Sequence, residues 1–303
     1  MRYAGHSTAS LATCWSIGRN KMKARRRVLL LLSFMMTAYC AAQSGVRIEG
    51  TITDESGSAV KYASVGILGR GIGVLSDADG TFCLNADAGP DDTLVVSHIS
   101  YHDIRISAGE FLNLAGRIVM KTREQQLGEI VVNSGRSRKV RLAARGTKIP
   151  GGATMWTVAN KGCEVGSVVD VKGIFELQEI SFSVRSNGIP GAVFSVNIYK
   201  ENESTGEFSN ALCKPVYFNI PVSEKKQEVI VGVGDDVVIA PGRYFVSIMF
   251  ADHDCIDSET VATEPRIYFP LYLKSSYTRK GVMSRLESVP MNMGLCLKGV
   301  EYR

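Results

Sequence analysis

The chain lacks the patterning of a membrane-spanning or nucleic-acid-binding protein. Beyond the first 42 residues, no apolar run approaches the roughly 18 residues that a membrane-spanning helix needs. Seven of the 35 lysines and arginines lie in residues 1–42, which contain no Asp or Glu, so the remainder carries 28 basic against 30 acidic residues. Because phosphate affinity depends on clustered Lys and Arg, this balance removes the electrostatic basis for nucleic-acid binding.

Motifs of catalytic and metal chemistry are also missing. None of the cysteines shows the C-x-x-C spacing of a zinc or redox site, and no G-x-S-x-G nucleophile elbow is present. Glycoside hydrolysis needs two facing carboxylates, and no such pair stands out among the 30 acidic residues. The sequence therefore predicts a protein that is not an enzyme.

The basic residues at the front belong to a predicted secretory leader over residues 1–42. Residues 21–27 form a basic n-region, Val28–Tyr39 an apolar h-region, and Cys40-Ala41-Ala42 supplies small residues before an expected cleavage at Gln43. The h-region is too short for a stable membrane span. The leader predicts export and a mature chain without a transmembrane span. Cys40 leaves a lipidated N-terminus open, although the bulky Tyr39 before it disfavours that alternative.

From Val46 onward the pattern is all β. Short runs that alternate apolar and polar residues are separated by Gly, Asp and Asn turns, and no long segment has helical spacing. About eight runs fall within residues 46–133, which is the strand density of a β-sandwich. Longer runs follow over 153–303, and Arg243–Phe250 is apolar on both faces, as in a central strand. We therefore expect two β-sandwich domains, 46–133 and 153–303, of which the second is jelly-roll-like.

Between these domains the pattern breaks. Residues 134–152 combine six basic residues with Gly and Ser and end in Pro150-Gly151-Gly152. This composition predicts a basic linker.

The first domain also carries an ordered series of short motifs. They are Gly50-Thr51-Ile52-Thr53-Asp54, Tyr62-Ala63-Ser64-Val65, Gly73-Val74-Leu75-Ser76-Asp77-Ala78-Asp79-Gly80-Thr81-Phe82 and Leu94-Val95-Val96-Ser97-His98-Ile99-Ser100-Tyr101. In this order, residues 46–133 resemble the carboxypeptidase regulatory-like domain, a transthyretin-like (prealbumin-like) sandwich. The sequence departs from the usual pattern at Ala59-Val60, where Pro-Leu is common, and at Ser100, where Gly is common.

The resemblance implies a connector rather than a catalyst. Such modules extend outer-membrane transporters or accompany secreted enzymes and surface proteins, mostly in Gram-negative envelopes, so the expected location is the periplasm or the outer-membrane surface. A zinc carboxypeptidase would need a His and a Glu at short spacing plus a distant His. Neither His98, His102 nor His253 has a Glu three residues on, so peptidase activity is not expected. The second domain resembles no family that its residues allow us to name.

Two candidate binding sites follow from the second domain. Oxygen ligands grouped in a loop can hold calcium, and a loop after the apolar strand contains the candidate ligands Asp252, Asp254, Asp257 and Glu259. The simpler interpretation is a solvated loop, and no other cofactor is indicated. Trp156 is a candidate sugar-binding residue, in a platform with Tyr199, Tyr244 and Tyr272; the alternative is that these aromatics belong to the core.

Five cysteines remain after the expected cleavage. They are Cys83, Cys163, Cys213, Cys255 and Cys296. One or two disulfides among the last four are compatible with an oxidising compartment, and buried free thiols are the alternative.

These observations favour an exported, non-catalytic protein of the cell envelope. Its expected role is structural or protein-binding, with an envelope protein as partner and the regulatory-like domain as connector. The alternative is a carbohydrate-binding accessory protein that serves glycan uptake at the cell surface.

Overall fold

The computed structural model describes residues 46–123, 137–234, 237–254 and 264–302. Arg47–Arg303 form one compact unit. The predicted leader over 1–42 lies outside the described residues. Within the described ranges, no helix is long and apolar enough to cross a membrane.

The N-terminal part folds as a sandwich of two small sheets. Its elements are β1 (Val46–Asp54), β2 (Ser64–Ile67), β3 (Ile72–Leu75), β4 (Thr81–Ala86), β5 (Thr93–Ser97), β6 (Ile104–Ser107), α1 (Ala108–Asn113) and β7 (Arg117–Met120). One sheet has the order β4-β1-β7, with β1 and β7 parallel, and the other has the order β3-β2-β5-β6. Their facing side chains, such as Ile52, Val65 and Leu94, form one buried cluster. The predicted sandwich is confirmed.

The sequence motifs of this sandwich act at its turns. One Asp54 carboxylate oxygen accepts hydrogen bonds from the backbone N–H groups of Ser56 and Ser58, both at 2.9 Å. Gly57 follows with a φ of 83°. Gly80 has a φ of 81°, and a Cβ there would lie 2.5 Å from the Ile52 carbonyl oxygen. Only glycine can take this conformation at so close an approach, which explains the Asp-Gly turn.

The C-terminal part contains the longer strands. They are β8 (Ser137–Ala143), β9 (Thr147–Lys148), β10 (Ala153–Thr157), β11 (Glu164–Val171), β12 (Ile174–Val184), β13 (Ser186–Asn187), β14 (Val193–Glu201), β15 (Phe208–Asn210), β16 (Val216–Asn219), β17 (Gln227–Gly232), β18 (Val238–Ile239), β19 (Gly242–Asp252), β20 (Arg266–Phe269), β21 (Tyr272–Arg279), β22 (Glu287–Asn292) and β23 (Cys296–Tyr302).

Two large sheets enclose the core of this part. The eight-stranded sheet runs β15-β14-β19-β11-β21-β22, with β16 beside β14 and β9 beside β21. The five-stranded sheet runs β17-β12-β23-β8, with β18 beside β12. Strands β8, β11, β12, β14, β17, β19 and β23 alternate between the two sheets in chain order. This crossing pattern is that of a jelly roll, as expected.

The prediction of a linker over 134–152 is wrong for most of the residues in this range that the structure describes. Ser137–Ala143 instead forms β8, an edge strand that pairs with β23 along its whole length. Val140 and Leu142 pack against the jelly-roll core. The basic residues that alternate with these apolar residues made the strand pattern hard to recognise in the sequence. One of them, Arg138, donates from its Nε to the Glu301 carboxylate at 2.8 Å. The clustered charges thus lie on the solvent side of a strand.

Candidate functional site: a cleft beside the eight-stranded sheet

Trp156 does not form an exposed sugar platform. Its side chain is 0% exposed, its Nε1 donates to the Cys163 carbonyl oxygen at 3.3 Å, and its ring packs against Phe194 and Phe269 at centroid distances of 4.9 and 5.2 Å. The pairing of β10 with β20 turns the indole into the jelly-roll core. Tyr244 is buried too, so the platform interpretation was wrong for both residues.

The proposed calcium ligands are only partly within the described residues. The Asp252 carboxylate accepts a hydrogen bond from Lys161 Nζ at 3.1 Å, and the Asp254 carboxylate lies against Gly191. Asp257 and Glu259 lie outside the described residues. The described part of the chain holds no cluster of three metal-ligating side chains, and the calcium site stays a prediction.

The described cysteines are all free thiols. Cys163 and Cys296 are buried, Cys213 is half-buried and Cys83 is exposed. Cys255 lies outside the described residues. Burial raises the pKa of Cys163 to about 11.

A polar cleft of about 320 Å³ lies where the N-terminal sandwich meets the outer face of the eight-stranded sheet. On β14, Ser195, Asn197 and Tyr199 face the cleft, because they alternate with residues that face the jelly-roll core. Ser97 and His98, at the end of β5, contribute from the N-terminal sandwich. Both sandwiches therefore supply walls of the same cleft.

The junction that forms the cleft is held by charge and by apolar packing. Lys161 Nζ donates to the carboxylates of Asp77, at 2.7 Å, and Asp252, at 3.1 Å, so one ammonium bridges both sandwiches. Burial lowers the pKa of Lys161, but the hydrogen bonds to the two carboxylates outweigh it and raise the pKa. Beside this bridge, Leu75 from the N-terminal sandwich and Ala251 from the jelly roll share a buried cluster.

Backbone strain marks the same junction. Tyr62 lines the cleft with a φ of 58°, in the left-handed region that non-glycine residues rarely occupy. Its N–H donates to the Ser76 carbonyl oxygen at 3.0 Å, and its ring meets Tyr217 edge-on at a centroid distance of 5.0 Å. Such a conformation costs on the order of 1 kcal/mol and persists only where surrounding contacts impose it. The contacts at the junction therefore impose this conformation on Tyr62.

A network of buried polar side chains on the eight-stranded sheet lies beneath the cleft. Glu164, at the start of β11, is 0% exposed. One of its carboxylate oxygens accepts hydrogen bonds from Asn197 Nδ2 at 2.7 Å and Ser247 Oγ at 2.6 Å. The other lies 3.6 Å from Arg279 Nε. The residues come from four strands adjacent in the sheet, β14, β19, β11 and β21, so pairing register brings them together.

Aromatic rings fix the position of Arg279 and Tyr199. The guanidinium of Arg279 lies over the Tyr199 ring, 5.6 Å from its centroid, and Tyr199 stacks on Phe245 at 5.9 Å. Phe208 and Tyr277 complete this cluster. Burial raises the pKa of Tyr199 well above its ordinary value, with Glu164 adding to the effect. Tyr199 is therefore a neutral hydrogen-bonding group near neutral pH.

His98 and Tyr217 form the opposite wall. The Nε2 of His98 lies 3.4 Å from the Tyr217 hydroxyl oxygen. Burial lowers the pKa of His98 to about 4, and burial raises the pKa of Tyr217. Both side chains are uncharged near neutral pH. This wall therefore presents polar but neutral groups.

The cleft continues into a second cavity of about 610 Å³ that shares Ser97 and Asp103 with it. Asp103 lies 3.5 Å from the Arg123 guanidinium, so these two charges of the cleft are paired with each other. Together the cavities form an extended groove. The charged side chains of the first cavity are paired, which suits a polar ligand without net charge there, whereas the lining of the adjoining cavity includes the guanidinium groups of Arg70, Arg105 and Arg285.

The described lining residues include hydroxyl groups but no assembled nucleophile. Neither Ser64, Ser97 nor Ser195 is hydrogen-bonded to a histidine or carboxylate within the described ranges. The hydroxyl of Ser195 is buried at the cleft and has no hydrogen-bond partner there. An unpaired buried hydroxyl is costly, so a ligand hydroxyl or a water that reached it would relieve this cost.

Comparison with known proteins identifies the N-terminal sandwich. Residues 48–132 match the sequence model of the CarboxypepD_reg-like domain family, which confirms the resemblance. No curated protein matches the chain.

The chain also has weak structural likenesses. A structure of carbohydrate-binding modules from the β-sandwich superfamily is 11% identical, with 81% of this chain and 97% of that chain covered and a TM-score of 0.20. A structure of the Gx strain of infectious bursal disease virus is 10% identical over 84% of this chain and 60% of that chain, with a TM-score of 0.28. Scores of this size do not establish a shared fold, so the functional argument rests on the cleft.

Proposed function

We propose that this is an exported, non-catalytic binding protein of the cell envelope, in which the CarboxypepD_reg-like domain is a rigid connector and the cleft holds a neutral saccharide. The observation that carries the proposal is the lining of the cleft, where tyrosine rings, amide groups and hydroxyls surround charges that are already paired. Small-molecule sites combine an apolar surface with a few fixed polar groups in this way.

The chemistry of the lining matches a saccharide better than an ion. A sugar ring presents hydroxyls that both donate and accept, and C–H faces that pack on aromatic rings. The unpartnered Ser195 hydroxyl can bond a sugar hydroxyl, as can the remaining N–H of the Asn210 amide, which also bonds the Leu212 backbone, and the rings of Tyr62 and Tyr217 can pack on the C–H faces. In the first cavity an ion would require an unpaired opposite charge, whereas Arg279 faces the buried Glu164 carboxylate and Arg123 faces Asp103.

The dimensions favour a short chain of sugars. The first cavity, of about 320 Å³, is at the small end of ligand sites, and the adjoining cavity of about 610 Å³ extends the same groove. An oligosaccharide can therefore occupy the first cavity with one unit and continue along the junction with the next. Free monosaccharides should bind more weakly because they make only part of these contacts.

The test is a screen of neutral oligosaccharides followed by titration calorimetry on matched variants. Tyr217→Ala removes a ring from the cleft wall, and Tyr268→Ala removes a similarly exposed ring from β20, outside the cleft; the two side chains are 37% and 39% exposed. We expect Tyr217→Ala to weaken binding by about tenfold, the loss of one good aromatic contact. Tyr268→Ala should leave the affinity unchanged. Equal effects of the two variants would place the saccharide elsewhere.

A protein-binding role is the second candidate. The connector domain exposes three large apolar side chains close together in sequence, Leu112 on α1, Leu114 at its end and Val119 on β7, at 60%, 47% and 56%. In-cell crosslinking of the tagged protein in envelope fractions tests this role. Repeated recovery of one envelope protein, lost in a Leu112→Ser/Val119→Ser variant, would support it.

A further inference from the structure

A second pocket, of about 300 Å³, lies on the jelly roll and is distinct in its chemistry from the cleft. Its lining consists of Lys148, Ser183, Arg185, Lys226, Pro270 and Tyr272. Three of these six side chains are cationic and none is a carboxylate. The pocket therefore carries a net positive charge, whereas the charges at the cleft are paired.

The cations of the pocket lack compensation within the described part of the chain. Lys148, Arg185 and Lys226 make no ion pair with any described carboxylate, whereas Arg138 and Lys298 each bind one and Lys161 binds two. Arg145 adds a further cation, because its guanidinium lies 5.8 Å from the centroid of the Tyr272 ring. Like charges that gather around one cavity repel each other, and this cost is offset when an anion occupies the cavity.

The backbone holds these side chains at the pocket. Lys148 on β9 pairs with Tyr272 on β21, so the ammonium group and the ring start from adjacent positions of one sheet. Arg185 directly follows β12, and its N–H donates to the Tyr268 carbonyl oxygen at 2.7 Å. The residues thus come from separate strands whose register fixes where each side chain begins.

Two glycines leave the space that the pocket needs. A Cβ at Gly152 would lie 3.2 Å from Arg185 Cδ and 3.3 Å from its Nε. A Cβ at Gly294 would lie 2.3 Å from a ring carbon of Tyr272. A Cβ at Gly152 would also lie 2.8 Å from the Phe269 carbonyl oxygen, so a side chain there would crowd the backbone and the base of the guanidinium, and one at Gly294 would displace the ring. The glycines therefore leave room for the Tyr272 ring and for the Arg185 side chain at the pocket.

We propose that this pocket binds an oxyanion group of a small ligand, through the guanidinium of Arg185 and the ammonium groups of Lys148 and Lys226. Guanidinium and ammonium groups donate charge-assisted hydrogen bonds to carboxylate, sulfate or phosphate oxygens, and the guanidinium can do so with two parallel bonds. The Ser183 hydroxyl, half-buried in the same lining, supplies a neutral donor. The proposal does not depend on saccharide binding in the cleft.

The probes are inorganic phosphate and a hexose phosphate, each titrated calorimetrically into the purified protein at low and at physiological salt. Both should bind saturably, and more weakly as salt rises, because the contact is electrostatic. Arg185→Gln and Lys226→Gln should each lower the affinity by about tenfold, the loss of one charge-assisted hydrogen bond. Tighter binding of the hexose phosphate would identify the oxyanion as a group carried on a sugar, and equal binding would identify the free ion.

The matched control is Lys225→Gln, which removes the same charge one residue away at an exposed side chain that does not line the pocket. It should change the affinity by less than about twofold. The altered side chains are exposed, so the variants should keep the fold, which near-ultraviolet circular dichroism checks. The proposal is overturned if neither probe binds saturably, or if Lys225→Gln weakens binding as much as Lys226→Gln, since a diffuse positive field would then explain the binding.

Discussion

Replacement of Arg279 by methionine should destabilise the protein because the buried Glu164 carboxylate loses its cationic neighbour. Methionine retains most of the apolar stem of arginine and removes the charge. Glu164 would then remain 0% exposed without its cationic neighbour. Removing one partner of a buried ion pair is costly because the other charge stays desolvated.

The magnitude follows from the geometry. At 3.6 Å between Arg279 Nε and the Glu164 carboxylate, the gross attraction is about 5 kcal/mol at an effective dielectric constant of about 20. The Glu164 carboxylate would keep its hydrogen bonds from Asn197 and Ser247, and the Arg279 side chain is 25% exposed. The remaining hydrogen bonds and the partial exposure of Arg279 both reduce the loss of stability. We therefore expect about 3 kcal/mol less free energy of unfolding, the low end of the range for broken buried pairs.

Urea unfolding of a double-mutant cycle measures this interaction. Arg279→Met alone should cost about 3 kcal/mol, and the same change in a Glu164→Gln background about 1 kcal/mol, which gives a coupling energy of about 2 kcal/mol. Additive effects of the two substitutions, or a loss below about 0.5 kcal/mol for Arg279→Met, would show that the pair does not stabilise the cleft.

Two further predictions use the same fold. Burial lowers the pKa of His98 to about 4, below the value of about 6.5 in an unfolded chain, so its contribution to stability is complete above about pH 6.5 and is lost as the pH falls towards 4. Between pH 7 and pH 4.5 the parent should lose about 2 kcal/mol more than His98→Gln in urea unfolding, and equal losses would contradict the buried neutral histidine. Because burial raises the pKa of Cys163 to about 11, iodoacetamide at about pH 8 should modify exposed Cys83 and spare Cys163 in the native protein. Mass spectrometry checks this, and comparable modification of both thiols would count against it.

Much of the fold could be predicted because its signals are local. Asp54 and Gly57 specify a tight turn through bonds within five residues, and Asp79 and Gly80 do the same before β4. Alternating apolar residues then specify which side of each strand is buried. These features suffice for the N-terminal sandwich and for the long strands of the jelly roll.

The candidate site could not be predicted in the same way, because its residues meet only through strand register. Glu164 and Arg279 are far apart in sequence and become neighbours where β11 pairs with β21. The available signal was weak, a carboxylate at the start of a strand that also contains Ser167 and Asp170. For Trp156 the sequence left a sugar platform and a core position both open, because it does not show which face of β10 is covered; the structure places the residue in the core. The strand β8 was missed because its basic residues resembled a solvated linker.

We propose that a neutral saccharide occupies the cleft between the connector domain and the jelly roll. Backbone amide chemical shifts of the isotope-labelled protein, recorded during titration with the tightest-binding neutral oligosaccharide, test it most directly. We expect saturable shift changes at Ser97, Asn197 and Tyr217 and none around the basic pocket at Arg185 and Lys226. Changes confined to that pocket, or to surfaces away from both sites, would contradict the assignment of the cleft.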